Sequence, residues 1–342
     1  MPTLYIASDQ ERVGKTALSI TIAHNLSQKG KKIALFKPYH SKAHVGEPNQ
    51  DGRLLRQASD IHISQADSWP TTLPDDDAFA HIPTSEVLRT FQEITSEADI
   101  SIVEGLSGLQ GTIGSASSRL ANELDATVVV VIGYTAELTT ESVLSAKEIF
   151  GDRLAGIVLN GVTKYKVREV KGRMVPKLET QGIKVLAVMP EDRRLLGISV
   201  GQLVEHLNGT FLSLEEKSDE LVEHFLIGGL ILDWGVLYFE RFSNKAVIVR
   251  GDRPDIQMAT LGTPTSCIVL TGGHQPIQYV SYEAMEEEVP LIQVETDTLS
   301  SAAALESIHE KASFDHPLKR EQFRNLISEH GDLEPLYQSL MA

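Results

Sequence analysis

The sequence has 342 residues, enough for two domains on a prior of roughly 100 to 200 residues each. Its 47 acidic and 31 basic side chains give a formal net charge of −16, which argues against nucleic acid as a partner because that binding depends on neutralising phosphates. The sequence opens on a strand pattern without a charged-then-apolar leader, and it has no uninterrupted apolar run of about 18 residues. We therefore expect a cytoplasmic protein that does not enter a membrane.

Residues 1–208 alternate short β-branched runs with helical patterns. The predicted strands read TLYIA, KIALF, ISIVE, ATVVVVI, AGIVLN and KVLAVM, and helical periodicity covers 16–29, 85–97, 138–149 and 166–181. Continuous apolar strands separated by helices are typical of a parallel sheet covered on both faces. We therefore predict an α/β domain with a mostly parallel sheet and helices on both faces.

The first predicted strand runs into Gly14, Lys15 and Thr16, the closing end of a phosphate-binding loop. Such a loop binds phosphates through its N–H groups, the positive end of a helix and a lysine, while a hydroxyl holds magnesium. The usual spacing places the opening glycine at Asp9, and a loop one residue longer would start at Ser8. Because neither position carries glycine, GKT alone does not establish a nucleotide site.

Further polar residues lie where other predicted strands end. Lys37 follows KIALF, Glu104 ends ISIVE, Asn160 ends AGIVLN, and Asp51 lies in NQDGRLLRQ between the first two. Strand ends of a parallel sheet face the same way, so these groups should converge on the phosphate loop. Each alone also fits a surface lysine, a helix cap, a solvated strand end or a turn residue. Their joint occurrence in this order favours a nucleotide site.

The combination of VGKT, FKP, VEG and LNGVT, followed by LAVMPEDRRLLGISVGQLVEHL, resembles the dethiobiotin synthetase-like P-loop proteins over residues 1–208. In that family the phosphate loop is one residue longer than usual, so the resemblance implies that it opens at Ser8. The family binds ATP and Mg²⁺, whose preference for hard oxygen ligands suits the carboxylates here. By resemblance, the ATP-binding positions are Ser8, Val13, Gly14, Lys15, Thr16, Ala17, Asn160, Pro190 and Glu191. Those near magnesium are Thr16, Asp51 and Glu104, and the catalytic lysines are Lys15 and Lys37.

The resemblance does not extend to the substrate side of that family. The loop reads Asp9, Gln10, Glu11 and Arg12 where dethiobiotin synthetases carry threonines and an aspartate, and their EP…SPH segment has no counterpart. Cobyrinic acid a,c-diamide synthases share the ATP fold but need a glutaminase domain with a nucleophilic cysteine in a sharp turn. The single cysteine, Cys267, lies in an apolar run, and we interpret it as a buried strand thiol.

A second, smaller α/β segment follows the polar stretch NGTFLSLEEKS. It contains VRGDRPD and LTGG, and it resembles the DRTGG domain over residues 218–315, with a helical tail at 316–342. The turns after its parallel strands should gather at one sheet edge, where such sheets bind ligands. The candidate ligand-binding residues are Asp252, Arg253, Thr271, Gly272, Gly273 and Asp297. The alternative is that these turns only pack the domain or form a dimer interface.

The joined domains also resemble the N-terminal arrangement of long bacterial phosphate acetyltransferases, whose catalytic part we expect to be absent here. The favoured hypothesis is a regulatory or accessory ATPase that binds Mg-ATP, with a DRTGG domain that senses a small molecule or dimerises. The alternative is an ATP-dependent ligase that activates a carboxylate as a mixed phosphate anhydride, with Lys37, Ser41 and Lys42 near the substrate. A third possibility is a scaffold whose loop is blocked by Glu11 and Arg12. Because dethiobiotin synthetases pair through their P-loop domains, the resemblance implies a homodimer.

Overall fold

The computed structural model describes residues 1–41, 71–73, 84–229 and 232–342. The chain divides into two compact units, of which the first comprises Met1–Glu191 with Arg320–Ala342 and the second comprises Asp192–Lys319. Among the described residues, no helix combines the length and the apolar character that a membrane span requires.

The first unit is built on a six-stranded sheet in which every neighbouring pair of strands is parallel. The strands of this unit, six in the sheet and two outside it, are β1 (Thr3–Ser8), β2 (Ile33–Phe36), β3 (Tyr39–Ser41), β4 (Thr71–Leu73), β5 (Ile100–Ser107), β6 (Thr127–Gly133), β7 (Leu154–Val162) and β8 (Val185–Pro190). The sheet order is β2-β5-β1-β6-β7-β8, while β3 and β4 form a separate pair. All six predicted strands are present, and the predicted fold class is confirmed.

Helices connect these strands and cover both faces of the sheet. They are α1 (Lys15–Gln28), α2 (Thr84–Thr95), α3 (Gly111–Glu123), α4 (Thr140–Phe150), α5 (Val167–Glu169) and α6 (Val175–Thr180), with a π-helical turn at Val170–Met174 and 3₁₀ turns at Gly151–Arg153 and Lys164–Lys166. Tyr5 and Ala7 of β1 pack in one buried cluster, and the alternate residues Leu4 and Ile6 point to the opposite face. All four are fully buried, as expected for a central strand of a covered parallel sheet.

The second unit contains a smaller sheet of five strands. The strands of this unit, five in the sheet and two in a separate pair, are β9 (Ile198–Ser199), β10 (Thr210–Phe211), β11 (Leu221–Val222), β12 (His224–Ile227), β13 (Lys245–Arg250), β14 (Thr265–Thr271) and β15 (Leu291–Gln293). Its helices are α7 (Arg193–Leu196), α8 (Val200–His206), α9 (Leu232–Phe239), α10 (Pro254–Leu261), α11 (Gln278–Glu286) and α12 (Thr298–Ala304), with 3₁₀ turns at Glu215–Lys217 and Leu305–Lys311. The order is β10-β15-β14-β13-β12; the last four strands run parallel, β10 is antiparallel to β15, and β9 pairs with β11.

The two compact units and the predicted domain ranges divide the chain differently at two segments. Residues 192–208 belong to the second unit because β9 pairs with β11, and Leu203 packs in the same buried cluster as Ile292. The end of the chain forms α13 (Pro317–His330) and α14 (Glu334–Met341). From Arg320 onward it belongs to the first unit, where Gly331 pairs with Ala187 of β8. Residues 320–342 therefore group with the first unit.

Candidate nucleotide-binding site

The loop between β1 and α1 has the backbone of a phosphate-binding turn. Gly14 has φ +96°, in the left-handed region that favours glycine, and it caps the first turn of α1. A Cβ atom there would lie 2.7 Å from Asn160 Nδ2. Arg12 also has a positive φ, of 58°, and is exposed. Gly14 is thus required by both the backbone angle and the close approach of Asn160.

Four of the predicted site residues converge beside this loop. Thr16 Oγ1 donates a hydrogen bond to Glu104 Oε1 at 3.0 Å, and Lys37 Nζ lies 3.0 Å from the same oxygen. Lys15 Nζ donates to the hydroxyl of Ser107, which ends β5. The first turn of α1 and the carboxyl ends of β2 and β5 therefore supply one cluster of cations, a hydroxyl and a carboxylate.

The second oxygen of Glu104 is available for a cation. The side chain is 5% exposed, and Oε2 is buried and accepts no hydrogen bond from the described residues. A buried carboxylate oxygen without a partner is costly, and Mg²⁺ favours such hard oxygen ligands. The hydroxyl of Thr16 lies on the same carboxylate, so the donor set fits a magnesium ion. Asp51, the other predicted acidic partner, lies outside the described residues.

Asn160 contacts the loop itself. Its Nδ2 donates to the carbonyl of Val13 at 2.8 Å, and its Oδ1 accepts from the N–H of Gly161 at 3.0 Å. Its amide thus bonds to the loop, and its ATP-binding role stays a prediction. Pro190 lies opposite Val162 in the register of β8 and β7, and the N–H of Glu191 donates to the carbonyl of Val162 at 2.8 Å. Pro190 and Glu191 thus lie at the neighbouring strand end.

The beginning of the loop is closed by polar contacts that the sequence did not predict. Ser8 is buried, and its hydroxyl donates to the carbonyl of Gln10 at 2.7 Å. Asp9 Oδ1 accepts from the N–H of Gly133 at 3.0 Å, and burial raises the pKa of this carboxyl. Gly133 is required here, because a Cβ atom at that position would lie 2.7 Å from Val13 Cγ1. The serine at the opening position therefore closes the turn with its side chain.

The candidate residues of the second unit lie at the carboxyl edge of its sheet, as predicted for such turns. Arg253 makes a bidentate ion pair with Asp255, at 2.8 and 2.7 Å, which lowers the pKa of that carboxyl. Asp252 accepts from Arg250. Asp297 Oδ1 accepts from the N–H of Ser300 at 2.9 Å and so caps α12. These charged groups make contacts that shape the turns.

The glycines of the same edge close two further turns. The N–H of Gly272 donates to the carbonyl of Thr296 at 2.9 Å, and that of Gly273 donates to the carbonyl of Val294 at 3.0 Å. The hydroxyl of Thr271 lies 2.7 Å from that of Thr298. Backbone and hydroxyl contacts thus tie the end of β14 to the segment after β15.

Two further side chains of the second unit, Cys267 and Gln257, are fully buried. Cys267 of β14 is fully buried, and burial raises the pKa of its thiol, which agrees with the predicted strand thiol. Gln257 is also fully buried, and its Nε2 donates to the carbonyls of Arg250 and Gly251 at 2.9 and 3.1 Å. The sequence offers no signal for Gln257, because it lies in the middle of a helix.

Comparison with known proteins identifies both parts of the chain. Residues 2–198 match the family model of an AAA domain, and residues 202–308 match that of the DRTGG domain. The phosphate acetyltransferase of Haemophilus influenzae is 25% identical over 376 aligned positions, covering 93% of this chain and 50% of the relative. That of Deinococcus radiodurans is 24% identical over 371 positions, covering 100% and 52%. The chain spans about half the length of the curated relatives it matches.

Among solved structures, the chain aligns with the CBS and DRTGG domains of the regulatory region of Clostridium perfringens pyrophosphatase, complexed with the activator diadenosine tetraphosphate. The identity is 15% and the TM-score is 0.30, covering 47% of this chain and 74% of that one. The MinC:MinD cell division protein complex of Aquifex aeolicus aligns at 15% identity with a TM-score of 0.39, covering 57% of this chain and 84% of that one.

Proposed function

Because the chain belongs to the AAA domain family and carries a DRTGG domain after it, we propose that it is a Mg-ATP-binding regulatory or accessory ATPase. Its DRTGG domain would sense a small ligand or pair with a second subunit. The observation that carries the nucleotide proposal is the carboxylate of Glu104. One of its oxygens contacts both Thr16 and Lys37, and the other is buried without a hydrogen-bond partner among the described residues.

The residues around the phosphate loop would make different contributions to binding a polyphosphate. The N–H groups of the first turn of α1 present a positive potential, and Lys15 adds a full charge beside them. Thr16 and Glu104 would hold Mg²⁺, directly or through water, and bound Mg²⁺ would neutralise part of the phosphate charge. Asn160 keeps the loop closed by binding the carbonyl of Val13. Lys37, paired with Glu104, is placed to compensate further negative charge.

The ligase hypothesis receives no specific support from these contacts. It requires cationic or hydroxyl groups that hold a substrate carboxylate opposite the phosphates. Lys37 forms an ion pair with Glu104, and Lys42 lies outside the described residues. Both hypotheses require ATP at the same site, so the contacts around Glu104 support ATP binding under either one.

Calorimetric titration with Mg-ATP tests the site through Lys15→Ala. Loss of the charge-assisted phosphate contact should weaken binding at least about tenfold, equivalent to about 1.4 kcal/mol. The matched control is Lys32→Ala, which removes the same charge from an exposed position after α1. Equal affinity of the Lys15 variant and the parent would reject the site, and absence of binding by the parent would favour the blocked scaffold.

The homodimer stays a prediction, and light scattering at micromolar concentration would contradict it by showing only a 37.5 kDa monomer.

A further inference from the structure

The C-terminal helices of the first unit pack along the helix that follows the phosphate loop. Tyr337 OH of α14 accepts a hydrogen bond from Asn25 Nδ2 at 2.9 Å. Glu334 forms an ion pair with Lys29 at 3.0 Å, and Lys29 Nζ also lies 5.7 Å from the centroid of the Tyr337 ring. These contacts anchor α14 to the last turns of α1.

The end of α13 is fixed to the central sheet. Gly331 pairs with Ala187, and the N–H of Asp332 donates to the carbonyl of Leu186 at 2.8 Å. A Cβ atom on Gly331 would lie 2.8 Å from the Cβ of Ala187, so the two backbone segments approach too closely for a larger residue at position 331. Helix α13 is therefore held at its C-terminal end by β8 and by the α14 contacts that follow.

Phe323, on α13, reaches the phosphate loop. Its side chain is 2% exposed. The Cβ position of Gly14 lies 3.9 Å from Phe323 Cε2, on the same glycine that approaches Asn160. The amide of Asn160 and the ring of Phe323 thus both lie on the side of Gly14 where a Cβ would project, at the point where the loop becomes helix α1. A buried ring at this point limits the conformations open to the loop.

We propose that Phe323 is a positioning residue of the phosphate loop, so that nucleotide affinity depends on the C-terminal helices as well as on the loop. This proposal rests on the proposed nucleotide-binding function. A loop already held in its binding conformation loses less conformational entropy when ligand arrives. The helix that carries Phe323 begins at Pro317, in the second unit, and continues into the first.

The test uses the full chain and compares Phe323→Ala with Leu340→Ala. Leu340 is also 2% exposed and lies on α14, so its truncation serves as a matched loss of packing in the same segment. With Phe323→Ala, we expect the phosphate loop to adopt its nucleotide-binding conformation in only about a tenth of the molecules. Mg-ATP binding should therefore weaken about tenfold. It should also accelerate amide hydrogen exchange in residues 9–16 of the nucleotide-free protein. Leu340→Ala should lower the melting temperature without either effect.

Phe323→Leu keeps an apolar side chain against Gly14 and should restore most of the affinity and exchange protection, even if Phe323→Ala folds poorly. By reciprocity, Mg-ATP should slow exchange in residues 320–330 of the parent. If exchange in residues 9–16 were the same in the Phe323→Ala variant and the parent, the positioning role would be overturned. If the parent bound no Mg-ATP, the proposed function would fail, while the exchange comparison without nucleotide would still decide the role of Phe323.

Discussion

Gly14→Ala tests the loop geometry on which the proposed nucleotide site depends. An alanine forced into the left-handed region costs about 1–2 kcal/mol. Its methyl group would also lie 2.7 Å from Asn160 Nδ2, which must move and release the carbonyl of Val13. Loss of that hydrogen bond adds about 1 kcal/mol. We therefore expect the free energy of unfolding to fall by about 2–3 kcal/mol.

The opposite end of the same helix provides the control. Gly30 has φ +82°, but a Cβ atom there would meet nothing within 4 Å. Gly30→Ala should thus lose only the backbone term of about 1–2 kcal/mol. Urea unfolding of both variants would measure the difference, and calorimetry should show that Gly14→Ala alone weakens Mg-ATP binding, at least about tenfold.

The contact with Asn160 can be isolated by a double-mutant cycle. In an Asn160→Ala background the clash is absent, so Gly14→Ala should lose no more stability than Gly30→Ala does. The reasoning would be refuted if the two glycine substitutions lost equal stability in the parent background, or if Gly14→Ala bound Mg-ATP like the parent.

Two further predictions concern charged groups. Burial raises the native pKa of Asp9, so its contribution to stability is present below the unfolded pKa of about 3.9 and is lost as the pH rises through the higher native value. Asp9→Asn should therefore become more stable relative to the parent as the pH rises through this window; urea unfolding at several pH values would contradict this by showing a constant difference. Arg253→Ala removes the ion pair with Asp255 and should leave Mg-ATP affinity unchanged, while abolishing the effect on that affinity of any metabolite that stabilises the protein thermally. Titrating each ligand with and without the other measures this, and identical affinities in both arms for the parent would reject a sensing role.

Much of the first unit follows from local sequence patterns. Apolar β-branched runs between helical segments predict a parallel sheet, and the ends of parallel strands lie at one edge whatever the details of packing. For that reason the sequence alone predicts that four side chains lie close together: Lys15, Thr16, Lys37 and Glu104. The structure brings these four side chains into one cluster around the Glu104 carboxylate.

Other contacts depend on parts of the chain that are far apart in sequence. The side-chain amide of Asn160 donates to the carbonyl of Val13, because β7, which carries Asn160, lies close to the phosphate loop. Asp297 caps helix α12. The sequence alone is compatible with a helix cap or with a ligand contact at this position, because it does not fix where α12 begins. Phe323 approaches Gly14 across more than 300 residues of sequence, and a periodic pattern records which face of a helix is buried but not which distant element covers it. Only the tertiary packing decides that partner, because burial of apolar surface is non-directional and acts equally on every segment that can reach the core.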